Sequence, residues 1–230
     1  MASVIPIRAA TFVYPELHPE GPGRDTIFVF VVRSVAGTFL VDTGIGSGNA
    51  QIDHYYRPDR VDLPSALRAA GADPAKLTAI VCSHLHFDHC GNNRLFPGVP
   101  IYVQRKEMDA ARGEDYTVPE WLEFDGADYR LLDGDTRLAA DVEVRFTPGH
   151  TPGHQSIIVR GPAGNDLVVA QAAQTAAAFA AFDPAASVIG VESRSLALLH
   201  SLKPDRAWFS HGEDFWTPEG LRPVSSVAAM

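Results

Sequence analysis

Cysteine is nearly absent from this chain. Its two copies, Cys82 and Cys90, flank one short loop and do not suggest a disulfide framework. A reducing, cytoplasmic compartment is the simpler expectation. Long apolar runs are missing too. No stretch holds ~18 uninterrupted apolar residues, so no membrane span is expected. The opening residues, MASVIPIRAATFVYPELHPEGPG, lack a basic region followed by an apolar run, and no secretory signal is read there. Positive charge is scarce and scattered: 19 Lys and Arg stand against 28 Asp and Glu, a formal net charge of −9. That balance argues against nucleic acid and against a membrane-surface patch. No solenoid-length repeat and no Ser/Gly linker interrupts the chain, so residues 1–230 read as one domain. Apolar residues, by contrast, make up 46% of it, enough for a substantial core.

Turn residues cut the apolar material into short runs. TIFVFVVRSVAGTFLVDTG reads as two strands joined at Val35–Gly37. LTAIVCS, VPIYVQ, DVEVRF, HQSIIVR, DLVVA and RAWFS are further strands, and LPSALRAAG and VESRSLALLHSL have helical spacing. AQAAQTAAAFAAF reads as a loop leading into a helix. The mixture predicts an α/β fold.

Chemistry concentrates just past strand ends, where rigid strands hand over to loops. VCSHLHFDHCG places His84, His86, Asp88 and His89 within six residues. Imidazole and carboxylate are ligands for zinc and similar divalent ions. Such a density of them has no packing explanation. Isolated histidines are ordinarily structural, and His18, His54 and His200 are read that way. Two distant segments supply possible partners: TPGHTPGH with His150 and His154, and FSHG with His211. In the doubled motif one histidine can ligate while the other braces the loop. His150, placed at the end of a strand, is favoured as the ligand, with His154 as the brace.

With HLHFDH, His150 and His211 in place, the chain resembles the metallo-β-lactamase-fold hydrolases from about Phe28 to His211. FLVDTG, HLHFDHCGNNRLFPGVPIYVQRKE and TPGHTPGHQS are most similar to the N-acyl homoserine lactonases among them. The resemblance implies an αββα four-layer sandwich with metals at one edge. It also implies two metal sites, one of His84, His86 and His150, the other of Asp88, His89 and His211. Asp42 falls beside the site behind its ligands, although a turn-capping role suits it equally. One position departs from the family. Where relatives carry a metal-bridging aspartate, VVAQAAQT places Gln171, or Ala172 if the register slips by one; Asp166 lies too early. Gln174 stands where lactonases tend to carry a tyrosine.

Divalent ions lower the pKa of a water ligand from about 16 towards roughly 7, which supplies hydroxide at neutral pH. The expected activity is therefore hydrolysis of a small ester or lactone, with Asp88 as the catalytic carboxylate that orients the nucleophile and passes a proton to the leaving alkoxide. Zinc is the first choice of metal, as one or two ions, with manganese, iron and cobalt as alternatives. Two other readings remain open: a glyoxalase-II-like thioesterase, and a non-catalytic metal-binding or ligand-sensing protein with a degenerate bridge. The partner is a small-molecule substrate, and a homodimer is compatible with the sequence. DTGIGSGN lacks dinucleotide-motif spacing and is read as turn glycines with no clear apolar helix behind it. Cys90 is read as a small buried packing residue.

Overall fold

The computed structural model describes residues 2–16, 22–162, 164–184 and 189–226. His18 lies outside them. Two seven-stranded sheets stack face to face. The first contains β1 (Ser3–Tyr14), β2 (Gly23–Ser34), β3 (Gly37–Val41), β4 (Asp59–Arg60), β5 (Leu77–Val81), β6 (Pro100–Gln104) and β7 (Asp128–Leu132). Its spatial order is β4-β1-β2-β3-β5-β6-β7, antiparallel as far as β3 and parallel from β3 to β7. The second contains β8 (Thr136–Arg137), β9 (Val142–Phe146), β10 (Gln155–Gly161), β11 (Gly164–Ala170), β12 (Arg206–Phe209), β13 (Asp214–Thr217) and β14 (Gly220–Pro223), in the order β14-β13-β12-β11-β10-β9-β8. Helices α1 (Ala50–Tyr56), α2 (Leu63–Ala69), α3 (Phe87–Cys90), α4 (Arg105–Ala111) and α5 (Pro119–Leu122) belong to the first half. α6 (Ala176–Ala181) and α7 (Val191–Ser201) belong to the second.

The continuous apolar strands explain the layering. Successive side chains on a strand point to opposite faces, so a strand apolar at every position must be covered on both. In β2, Ile27, Val29 and Val31 enter the core under the first set of helices, with Leu67, Met108 and Trp121. Their neighbours Phe28, Phe30 and Val32 enter the core between the sheets, where Val168 and Trp208 meet them. In β11 the same alternation sends Leu167 and Val169 outwards to Phe179 and Leu199, beneath α6 and α7. The result is the expected αββα sandwich, with three apolar layers.

Several elements go beyond the sequence reading, among them β4, β7, β8, β13 and β14. β1, a 12-residue strand, was not anticipated; it pairs along the whole of β2 through a register shift between Arg8 and Ala10. A helix does follow DTGIGSGN: α1, capped by Asn49, whose side-chain oxygen accepts from the backbone of Gln51 and Ile52. None of its residues is fully buried. The glycines before it allow close backbone approach, since a Cβ on Gly46 would lie 2.3 Å from the carbonyl oxygen of Gly91.

Candidate metal centre

Two seams join the sheets at one edge. Phe28 donates its N–H to the carbonyl of Ser210 (2.8 Å), and Gln155 donates to that of Ser83 (2.9 Å). Loops leaving β3, β5, β9, β11 and β12 meet at this edge. His84 Nε2 lies 3.1 Å from His86 Nδ1, and His150 Nε2 lies 3.2 Å from that same atom. Asp88 Oδ2 lies 3.6 Å from His89 Nε2 and 3.7 Å from His211 Nε2. Within each triad, His84–His86–His150 and Asp88–His89–His211, the ligand atoms all fall within 4.8 Å of one another. A single proton cannot satisfy three nitrogens gathered around one point, whereas a cation can.

Carboxylates hold two of these imidazoles from behind, His89 and His211. Asp42, at the end of β3 with a left-handed φ of 59°, accepts from Ser83 N (2.7 Å), Ser83 Oγ (2.7 Å) and His89 Nδ1 (2.9 Å). Because the Ser83 hydroxyl proton goes to Asp42, its oxygen receives His84 Nδ1–H at 3.1 Å. Asp25 accepts from His211 Nδ1 at 3.0 Å, from Thr26 N at 2.7 Å and from Tyr14 Oη at 3.0 Å. Glu107 accepts from Leu85 N (2.9 Å), Thr151 Oγ1 (2.7 Å), Gly153 N (3.1 Å) and the Tyr116 hydroxyl. It thereby ties the HLHFDH loop to TPGHTPGH. Gly153 is required there, for a Cβ would sit 2.1 Å from Glu107 N.

His150 does not end a strand as expected. β9 stops at Phe146, and His150 sits in the turn beyond, partly open to solvent. His154 is buried with both ring nitrogens engaged: Nδ1 with Thr147 Oγ1 (2.9 Å) and Thr147 O (3.1 Å), Nε2 accepting from Gln171 N (3.2 Å). It braces two loops and has no lone pair left to offer.

Gln171 follows Ala170, which has a φ of 56°, and its side chain lines the cavity over the triads. Its Nε2 donates to Gln174 Oε1 at 2.8 Å, while its Oε1 is buried with no hydrogen-bond partner. Ala172, the alternative register, packs in the outer core instead. Asp166 lies elsewhere, accepting from Arg206 (2.7 and 2.8 Å) and Trp208 Nε1 (2.9 Å). His54 lies on exposed α1, and His200 stacks on Phe179 with ring centroids 4.0 Å apart.

Charge follows from this geometry. Burial and the other imidazoles hold the pKa of His84 well below its ordinary value, and push that of His150 down to about 3. Burial also lowers His86, against the pull of Asp88. These three rings are neutral, with lone pairs available. Burial alone would raise the Asp88 carboxyl, but His89 and His211 hold it below the carboxylate range. Burial opposes charge on His89, yet Asp88 and Asp42 raise its pKa. The neutral rings of His84, His86 and His150 and the ionised carboxylate of Asp88 are donors suited to a divalent ion. His89 Nε2, His211 Nε2 and Gln171 Oε1 are buried atoms without a hydrogen-bond partner, which an ion would satisfy. The residues present fit the group.

Above them opens a cavity of about 340 Å³, walled by Phe12, Tyr14, Tyr56, Phe87 and Tyr116. Cys82 and Cys90 are buried free thiols outside it. Asp25, Glu107 and the aromatic wall were absent from the sequence reading. Phe87 and Glu107 lie within or at the end of quoted segments, but nothing in their spacing marks their roles.

Comparison with known proteins gives a consistent set of likenesses. The family described as the metallo-beta-lactamase superfamily matches residues 22–211. An N-acyl homoserine lactonase from Bacillus thuringiensis is 31% identical over 177 residues, covering 69% of this chain and 70% of that one. One from a Bacillus species is 32% identical over 145 residues, and the match spans 58% of each chain. Among solved structures, a variant of the B. thuringiensis lactonase AiiA with N-decanoyl-L-homoserine bound at its active site superposes with a TM-score of 0.75. It is 25% identical and covers 90% of this chain and 92% of that one.

Proposed function

The chain belongs to the metallo-β-lactamase superfamily, and from that premise we propose that it is a metal-dependent hydrolase opening the ring of an N-acyl homoserine lactone or a similar small lactone. The observation that carries this reading is the pair of donor triads at the floor of a cavity with an aromatic wall. His84, His86 and His150 would hold one divalent ion, and Asp88, His89 and His211 the other. Zinc is the first candidate, with manganese, iron and cobalt as alternatives. When bound, such ions supply hydroxide at neutral pH and Lewis acidity towards a carbonyl.

The chain's own residues do the rest. Phe12, Tyr56 and Phe87 offer an apolar surface for an acyl chain; the rings of Phe12 and Tyr56 lie 6.1 Å apart and those of Tyr56 and Phe87 4.6 Å apart. Asp88, ionised and buried at the cavity floor, orients the attacking oxygen and takes up its proton. As the ring C–O bond breaks, the leaving alkoxide collects that proton, and a hydroxy acid is released. Asp42 and Asp25 fix the tautomers of His89 and His211, so that each presents Nε2. A cytoplasmic location suits the two buried free cysteines.

The test is hydrolysis of a medium-chain N-acyl homoserine lactone, followed by acid release, beside a simple ester and a thioester. Activity is expected on the lactone, lost with a chelator and restored by zinc, manganese or cobalt. Undiminished turnover in metal-stripped protein sinks the reading. A thioester turned over faster than the lactone replaces it with the glyoxalase-II-like alternative.

A further inference from the structure

The two triads are backed unequally. In one, Asp88 is an anionic donor, and both imidazoles give their Nδ1 protons to carboxylates: His89 to buried Asp42 at 2.9 Å and His211 to half-buried Asp25 at 3.0 Å. In the other, all three donors are neutral rings. His84 Nδ1 meets a hydroxyl, Ser83 Oγ, at 3.1 Å. Among the described residues no carboxylate hydrogen-bonds to His84, His86 or His150. Carboxylate partners raise the basicity of a ligating imidazole, and losing one typically costs about 10–100-fold in metal affinity.

Gln171 sharpens the inequality. Its side chain donates Nε2 to Gln174 Oε1 (2.8 Å), while its backbone N donates to His154 Nε2 (3.2 Å). The end left facing the cavity is Oε1, buried and unpartnered like His89 Nε2 and His211 Nε2. An amide oxygen donates a lone pair and brings no charge. Whichever ion enters second therefore meets the repulsion of the first with one carboxylate, Asp88, among the six imidazole and carboxylate donors.

Resting on the reading of a divalent centre, we infer that the two ions are held unequally. Asp88, His89 and His211, with Gln171 Oε1 as a further neutral ligand, hold one ion tightly. His84, His86 and His150 hold an exchangeable one. The chain is then a one-ion protein at low metal and a two-ion protein only at higher metal.

Metal-stripped full-length protein is titrated with zinc(II) against a competing chromophoric chelator, and bound zinc is counted by mass spectrometry after dialysis. Two binding steps at least about 100-fold apart are expected, since two carboxylate-backed rings are involved at ~10-fold or more each. Dialysis then leaves one zinc per chain. His150→Ala, at an exposed position, should abolish the weak step and spare the tight one. Gln171→Leu should weaken the tight step about tenfold or more, and Gln171→Asp should strengthen the weak one. Two equally tight steps in the parent protein overturn the inference while leaving the hydrolase reading intact. Loss of the tight step in His150→Ala overturns it as well. No zinc bound at any concentration defeats the hydrolase reading itself, and this inference with it.

Discussion

Asp25 and His211 are 186 positions apart in the chain, yet the Asp25 carboxylate accepts the Nδ1 proton of His211 at 3.0 Å. Gly212 N also reaches this carboxylate, at 3.3 Å, so the start of β2 fixes the loop that leaves β12. Asp25→Ala is expected to lower zinc affinity by about 10–100-fold. Asp25→Asn keeps an acceptor without the charge and should fall between the two. Competition titration of the three proteins checks this order. Equal affinities would mean that Asp25 positions the loop and leaves the ligand unaffected.

His86→Ala and Asp88→Ala should each reduce lactone turnover by orders of magnitude. For Asp88, loss of proton handling alone is worth roughly 10²–10⁴-fold. Both side chains sit on the cavity floor and outside the three apolar layers, so the far-ultraviolet spectrum and the metal-free melting temperature should stay near those of the parent. A variant that retains turnover within about tenfold would remove that residue from the mechanism.

Glu107 is fully buried and accepts from four donors on three segments. Glu107→Ala would strand two backbone N–H groups and two hydroxyls. Removing one partner of a buried charged network costs about 3–5 kcal/mol. Urea unfolding should show a loss of that order, with Glu107→Gln less affected. A change below about 1 kcal/mol would show that water replaces the carboxylate at little cost.

Burial pushes the Cys90 thiol up to about 12, and Cys82 is raised in the same direction by the same cause. Only thiolate reacts with alkylating agents. The native protein should therefore stay unlabelled from pH 7 to 9, where an exposed thiol would gain reactivity steadily. Denaturant should expose two reactive thiols per chain. Fast labelling of the native protein would contradict the packing role read for Cys90.

What the sequence made legible was local or strongly patterned. Four donors lie within six residues, and apolar runs between turn residues mark the central strands; the four-layer arrangement came from the family resemblance. β1 escaped notice because SVIPIRAATFVY carries Pro6 and Arg8 and alternates poorly across its register shift. The braces escaped for a different reason. Glu107 faces the turn at Gly153, and Asp25 faces His211, contacts that exist only once the sheets have docked. Nothing in the sequence of TPGHTPGH shows what separates its two histidines. His154 is spent on Thr147 and Gln171, and neither bond has a signature in spacing.

The edge where Phe28 joins Ser210 and Ser83 joins Gln155 also governs cohesion of the two halves. HLHFDH leaves the first sheet, whereas His150, Gln171 and His211 leave the second. An ion shared among them would act as a clasp across the interface, and binding linkage then runs both ways. Chelation should loosen the sandwich, and a cavity cut far away between the sheets, at Trp208 or Phe30, should weaken the grip on metal without touching a ligand.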